Sequence, residues 1–148
     1  MRISSVTRVL LGLGFVVFAA NYFVPFLPAQ DPPPPEAMPF LVGFAGSGLL
    51  TLVKVIELGA GLLLLSNRFV PLALALLAPI IVGIFAVHAL LMPAGLPIAV
   101  VFLALELVTA WSYRNAFAPM LRAKTTASAV IEKRVAVDPT RSSPIPAR

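Results

Sequence analysis

The sequence predicts an all-α integral membrane protein: a four-helix bundle with both termini cytoplasmic and a short surface helix before the second span. Three observations predict it. Only 11% of the 148 residues are charged, while 59% are hydrophobic and the mean hydropathy is +0.99. A soluble domain carries about 25% charged residues, so this chain could not cover a water-facing surface. Four long apolar stretches divide the chain up to Tyr113, and lysine and arginine fall on alternate connections between them. The domain prediction is accordingly a transmembrane unit over residues 1–120 and a disordered, basic cytoplasmic tail over 121–148.

The first stretch, Val9–Phe26, is uniformly apolar and follows Arg2 and Arg8. A cleaved signal peptide over residues 1–29 is the rival reading, but no A-x-A site follows and the apolar run is long for one. The next connection, LPAQDPPPPEAM, carries Asp31 and Glu36 and no basic residue, and its tetraproline Pro32–Pro35 favours a stiff polyproline II segment. The second stretch, Phe40–Leu65, exceeds the roughly 20 residues a span needs. It contains GFAGSG, whose glycines and serine weaken a helix. It therefore divides into a short surface or dipping helix, about Ala37–Gly46, and a span from Gly48 to Ser66; one long tilted helix is the alternative. The third stretch, Phe69–Met92, has Pro71 at its start and Pro79 in its interior, where a kink is expected. The fourth is Leu96–Tyr113.

The turn after span two contains Arg68, the turn after span three is uncharged, and seven basic residues follow span four. Every basic flank thus falls on one side, which is the cytoplasmic side by the positive-inside rule. The expected location is the cell (inner) membrane, multi-pass. Basic residues that flank spans make no single basic face, so nucleic acid is not an expected partner; the lipid bilayer is. With no cysteine and a single histidine, thiol chemistry is excluded and no metal centre is expected within one chain. Trp111 and Tyr113 are expected in an inner aromatic belt, Tyr22 in an outer one. GLG at 12–14 is no nucleotide loop, because no strand precedes it. Gly59 and Gly61 with Ala60 offer a smooth patch for close helix packing.

The candidate chemistry lies in TLVKVIEL, residues 51–58. Lys54 and Glu57, three apart, share one face of a helix and can partly neutralise each other in oil, where an ionised group costs about 2.5–3.5 kcal/mol. Glu106 should lie at similar depth in span four. If the two helices are neighbours, Lys54, Glu57 and Glu106 form one polar pocket, and the excess carboxylate takes up a proton. The same groups can equally be read as packing glue that sets helix register. Asn21 and His88 lie near the outer ends of spans one and three, at a candidate mouth of that pocket.

Residues 54–88, KVIELGAGLLLLSNRFVPLALALLAPIIVGIFAVH, resemble the central signature of the DoxX-like family of small four-span membrane proteins. Lys54, Glu57, the run from Gly61, Arg68, Pro71, Phe85 and His88 carry the likeness, which extends over residues 8–121; position 83 is glycine where asparagine is expected in many relatives. The resemblance implies a four-helix bundle and an accessory subunit of a membrane redox or quinone-linked system. Quinone is then the expected ligand, and a redox protein or a second copy of the chain the expected partner. Lys54 would donate to a quinone headgroup and a protonated carboxyl would supply its proton. Electron transfer would need the partner, so the chain is not expected to be an enzyme on its own. The alternatives are a small proton-coupled carrier, which would need a homodimer, and a purely structural assembly protein.

Overall fold

The structure is a computed structural model and describes residues 3–28, 32–121 and 123. The chain divides into two units, Met1–Phe117 and Ala118–Arg148. Most of the second, and with it most of the expected tail, lies outside the described residues.

The first unit is helical throughout, with no strand among the described residues: α1 Ile3–Phe23, α2 Met38–Gly46, α3 Leu49–Leu65, α4 Val70–Leu90, α5 Leu96–Ser112 and a single turn, α6, Arg114–Phe117. Helix α1, helix α4 and the segment Pro93–Ser112 are each long and apolar enough to cross a membrane. The segment Pro35–Gly46 and α3 meet the same test together, bent by 75° at their junction. The division of the second apolar stretch is therefore present, and GSG explains it. Gly48 stands at φ +79°, a left-handed conformation open to glycine at little cost. The Ser47 hydroxyl donates to the Phe44 carbonyl at 2.9 Å, closing α2, and accepts from the Leu49 amide at 3.3 Å, opening α3. Helix α2 buries none of its side chains.

Helices α1, α3, α4 and α5 form the bundle. Helix α1 packs on α3 and α5, and α4 packs on the same two, which leaves α3 and α5 facing each other diagonally. The end where α1 begins and α3 and α5 finish is called proximal here, and the opposite end distal. Leu11, Phe15, Leu64, Leu74, Leu77 and Ile81 fill the interior. Outward-facing Leu13, Leu52, Leu72, Val82 and Leu107 leave an apolar exterior suited to lipid.

Glycine sets the closest approach. A Cβ on Gly61 would stand 2.9 Å from Val16 Cγ2 and 3.0 Å from the Gly12 carbonyl, so α1 and α3 touch backbone to backbone. Gly59 meets nothing and takes no part in that contact, which corrects the two-glycine patch. At the proximal end, the Arg8 guanidinium donates to the Leu64 carbonyl, which also accepts the Asn67 amide in the turn that ends α3. Beside it, the Thr7 and Thr109 hydroxyls join α1 to α5 at 2.9 Å. At the distal end Tyr22 bonds Thr51 at 2.7 Å. Trp111 is exposed, with the Arg114 guanidinium 5.5 Å over its ring. Tyr113 is partly buried and packs against the core. Helix α4 runs unbroken through Pro79.

Candidate functional site

The distal half of the bundle is hollow. A cavity of about 750 Å³ lies among α1, α3, α4 and α5, bounded at the distal end by Pro32–Pro34 and by the turn Pro93–Gly95. Its walls are mostly aromatic and aliphatic, with Phe15 and Phe18 from α1, Ile84 from α4, and Ile98 and Phe102 from α5. This size and lining are those of a small-molecule site. Pro34 has polyproline II geometry, with φ −56° and ψ 145°, as the tetraproline leads one to expect.

Three polar side chains face this space: Lys54, Glu57 and His88. Lys54 and Glu57, one helical turn apart on α3, pair at 2.7 Å between Nζ and Oε2. Lys54 keeps 20% of its side chain exposed, whereas Glu57 is 1% exposed. The second carboxylate oxygen, Glu57 Oε1, is buried with no hydrogen-bond partner. A buried acceptor left open costs about 1–3 kcal/mol. The pair is thus balanced in charge and unbalanced in hydrogen bonding. His88 bonds the Ile84 carbonyl through Nδ1 at 2.8 Å. A carbonyl only accepts, so Nδ1 carries hydrogen, and the neutral ring has an acceptor at Nε2. The Cδ2–Nε2 edge of the ring lies against Gly95, where any Cβ would collide with it; glycine at 95 is what allows His88 its place.

Glu106 is buried, 5% exposed, and its Oε2 has no partner. It does not line the cavity. The expectation of one pocket shared by Lys54, Glu57 and Glu106 is corrected on two grounds. Helices α3 and α5 are diagonal and not neighbours. Phe102, one turn distal to Glu106, packs edge-on against Phe15 with centroids 4.9 Å apart and closes the cavity floor above it. Gly14 makes room for that floor, because a Cβ there would stand 2.6 Å from the Phe102 ring. Asn21 is also absent from the cavity wall. Its Oδ1 accepts from the amides of Phe26 and Leu27 at 2.9 and 2.8 Å and so holds the turn that follows α1. Of the two residues expected at the mouth, only His88 is there. Gly83 is exposed and a side chain on it would meet nothing, so position 83 is not part of the wall.

No known protein family, curated protein or solved structure matches this chain. The site is therefore read from its own chemistry. Among the described residues no group of three or more histidine, cysteine, aspartate or glutamate side chains could hold a metal ion. The cavity offers a cation donor at Lys54, an open anionic acceptor at Glu57 and flat apolar walls.

Proposed function

We propose that this chain is a DoxX-like four-span protein of the cell (inner) membrane, with both termini cytoplasmic, and that its cavity binds the head of a quinone-like lipid. In this reading it is the membrane-embedded accessory subunit of a redox system. The supporting observation is Glu57 Oε1, a buried acceptor without a partner, held beside a lysine donor in an aromatic-walled hollow. A ring with oxygens at opposite edges fits such a set. One oxygen accepts from Lys54, a ring hydroxyl of the reduced form donates to Glu57, and Phe15, Phe18 and Phe102 face the ring. The chain has no cysteine, so no thiol redox centre of its own could carry electrons, and a partner protein would carry them. The positive-inside rule supports the orientation: Arg8 and Arg68 fall at one end of the bundle, and Glu36 in the connection at the other.

The test is organic extraction of the detergent-purified protein followed by mass spectrometry, with titration of a short-chain benzoquinone in its oxidised and reduced forms. A co-purifying prenylquinone, and binding weakened at least tenfold by Lys54→Met with the helical signal intact, are the expected results. Phospholipid alone in the extract, with neither benzoquinone form binding, overturns the reading. Uptake of a solute by vesicles containing the protein, without quinone binding, would favour a carrier.

A further inference from the structure

Glu106 is left unused by the cavity, yet its surroundings are ordered for a purpose the cavity does not explain. On α5 the buried face runs Ala99, Phe102, Glu106, Thr109. Thr109 is fully buried, one turn proximal to Glu106 on the same face. Its Oγ1 lies 2.7 Å from the Leu105 carbonyl and 2.9 Å from Thr7 Oγ1, and Thr7 Oγ1 lies 3.4 Å from the Ser4 carbonyl. A hydroxyl has one hydrogen. The chain of bonds can therefore run from Thr7 through Thr109 to Leu105, or in reverse from Thr109 through Thr7 to Ser4. Both directions end on a carbonyl, so both are satisfied. A hydrogen-bonded pair that can point either way is the element a proton relay needs.

We propose that Glu106 is a proton-loading carboxyl served from the proximal end of the bundle by the Thr7–Thr109 hydroxyl pair. A proton arriving from the proximal aqueous phase binds Thr7 Oγ1, and the hydrogen Thr7 already carried passes to Thr109. Among the described residues no hydrogen bond joins Thr109 to Glu106, so Thr109 in turn gives up its own hydrogen to one bridging water, which passes a hydrogen to the Glu106 carboxylate and leaves it the neutral acid. Each hydroxyl ends with one hydrogen, and rotation resets the pair. Among the described residues no salt bridge holds Glu106 ionised. From α1 the charged group on the buried face is Arg8, whose guanidinium is bonded to the Leu64 carbonyl. Helix α4 presents apolar Ala73, Leu74, Leu77 and Ile81. Helix α3, across the bundle, presents Lys54 and Glu57, bonded to each other, and α5 has no second ionisable residue among Leu96–Ser112. Onward transfer past the Phe15–Phe102 floor to Glu57 rests on the ligand reading of the cavity; the loading step does not.

Infrared spectroscopy of the full chain in detergent reads the loading step with no ligand present. A protonated-carboxyl band is expected in the wild type, lost in Glu106→Gln and shifted when the protein is mixed into D2O. Thr109→Val should slow that shift at least tenfold, and Thr109→Ser, which restores the hydroxyl, should return the wild-type rate. An equal rate in Thr109→Val, or no band assignable to Glu106 at any pH where the helical signal is intact, overturns the inference. Glu106→Gln should still bind the benzoquinone probes, so failure of the cavity reading and failure of this one give different results.

Discussion

The two halves of the bundle are built from the same four helices and differ in what fills them. The proximal half is solid. Leu11, Leu64, Leu74 and Leu77 interdigitate there, Gly12 and Gly61 bring α1 and α3 to backbone contact, and Arg8 and Thr109 bond across helices. The distal half is held at its rim by Tyr22 and Thr51 and by prolines, and it contains a partly open cavity of about 750 Å³ lined in part by Glu57, whose Oε1 is buried without a partner. A chain that needed only stability would pair such an acceptor, because a buried acceptor left open costs free energy. The contrast is one of packing: one half is filled, and the other holds the space in which the proposed binding would take place.

The sharpest way to break that contrast is Lys54→Met. It strands Glu57, a residue 1% exposed whose one partner is Lys54. Removing one member of a buried pair costs about 3–5 kcal/mol, and the partial exposure of Lys54 puts the loss near about 3. Changing Lys54 to Met and Glu57 to Leu together removes both charges and should recover most of it. Thermal midpoints in detergent compare the two. If the double variant is stable but binds no benzoquinone, the pair serves the ligand; if it is stable and retains every cellular phenotype, the pair is packing glue.

The solid half is tested by Gly61→Ala. The new methyl meets Val16 and the backbone of Gly12, neither of which is the free end of a flexible chain. Forcing extra volume into such a contact costs about 1–3 kcal/mol. A lowered midpoint with unchanged benzoquinone affinity is the expected pair of results, since the contact lies outside the cavity wall. A loss of affinity at unchanged stability would show that the halves are coupled.

How much of this was legible in the sequence depends on what each feature requires. The spans were legible because hydropathy alone defines them, and the joint at Ser47–Gly48 because a glycine and a serine there favour an end to α2. The Lys54–Glu57 pair was legible because both partners sit on one helix, where spacing settles who meets whom. What spacing cannot show is which helices are adjacent and which way each is turned. In a soluble helix a continuous polar stripe tells; here α4 is apolar on every side up to His88, and the few polar residues of α3 and α5 are too sparse to make a stripe, so that signal is weak. Glu106 was therefore placed with Glu57, and the Phe15–Phe102 floor between them was not foreseen. Asn21 was misplaced because its partners, the amides of Phe26 and Leu27, come within reach only after the chain turns back at the end of α1. GLG was dismissed as a ligand loop, correctly, but its two glycines turn out to be contact sites.

The smallest effect expected comes from the glycines that touch nothing. Gly59 and Gly83 look like Gly61 in the sequence, yet a Cβ on either meets no atom within 4 Å. In a helix interior glycine is about 0.8–1.0 kcal/mol less favourable than alanine in water, and with the backbone shielded by lipid the difference should shrink. Gly59→Ala and Gly83→Ala should therefore leave the thermal midpoint unchanged or slightly raised, and the benzoquinone affinity unaltered. If Gly59→Ala is instead as damaging as Gly61→Ala, that face of α3 is covered in the membrane by something the single chain does not contain. A second copy of the chain is the first candidate, and crosslinking between residues substituted at position 59 would identify it. The outward face of α3 would then belong to an assembly, and the hollow distal half would be read as one of two sites side by side.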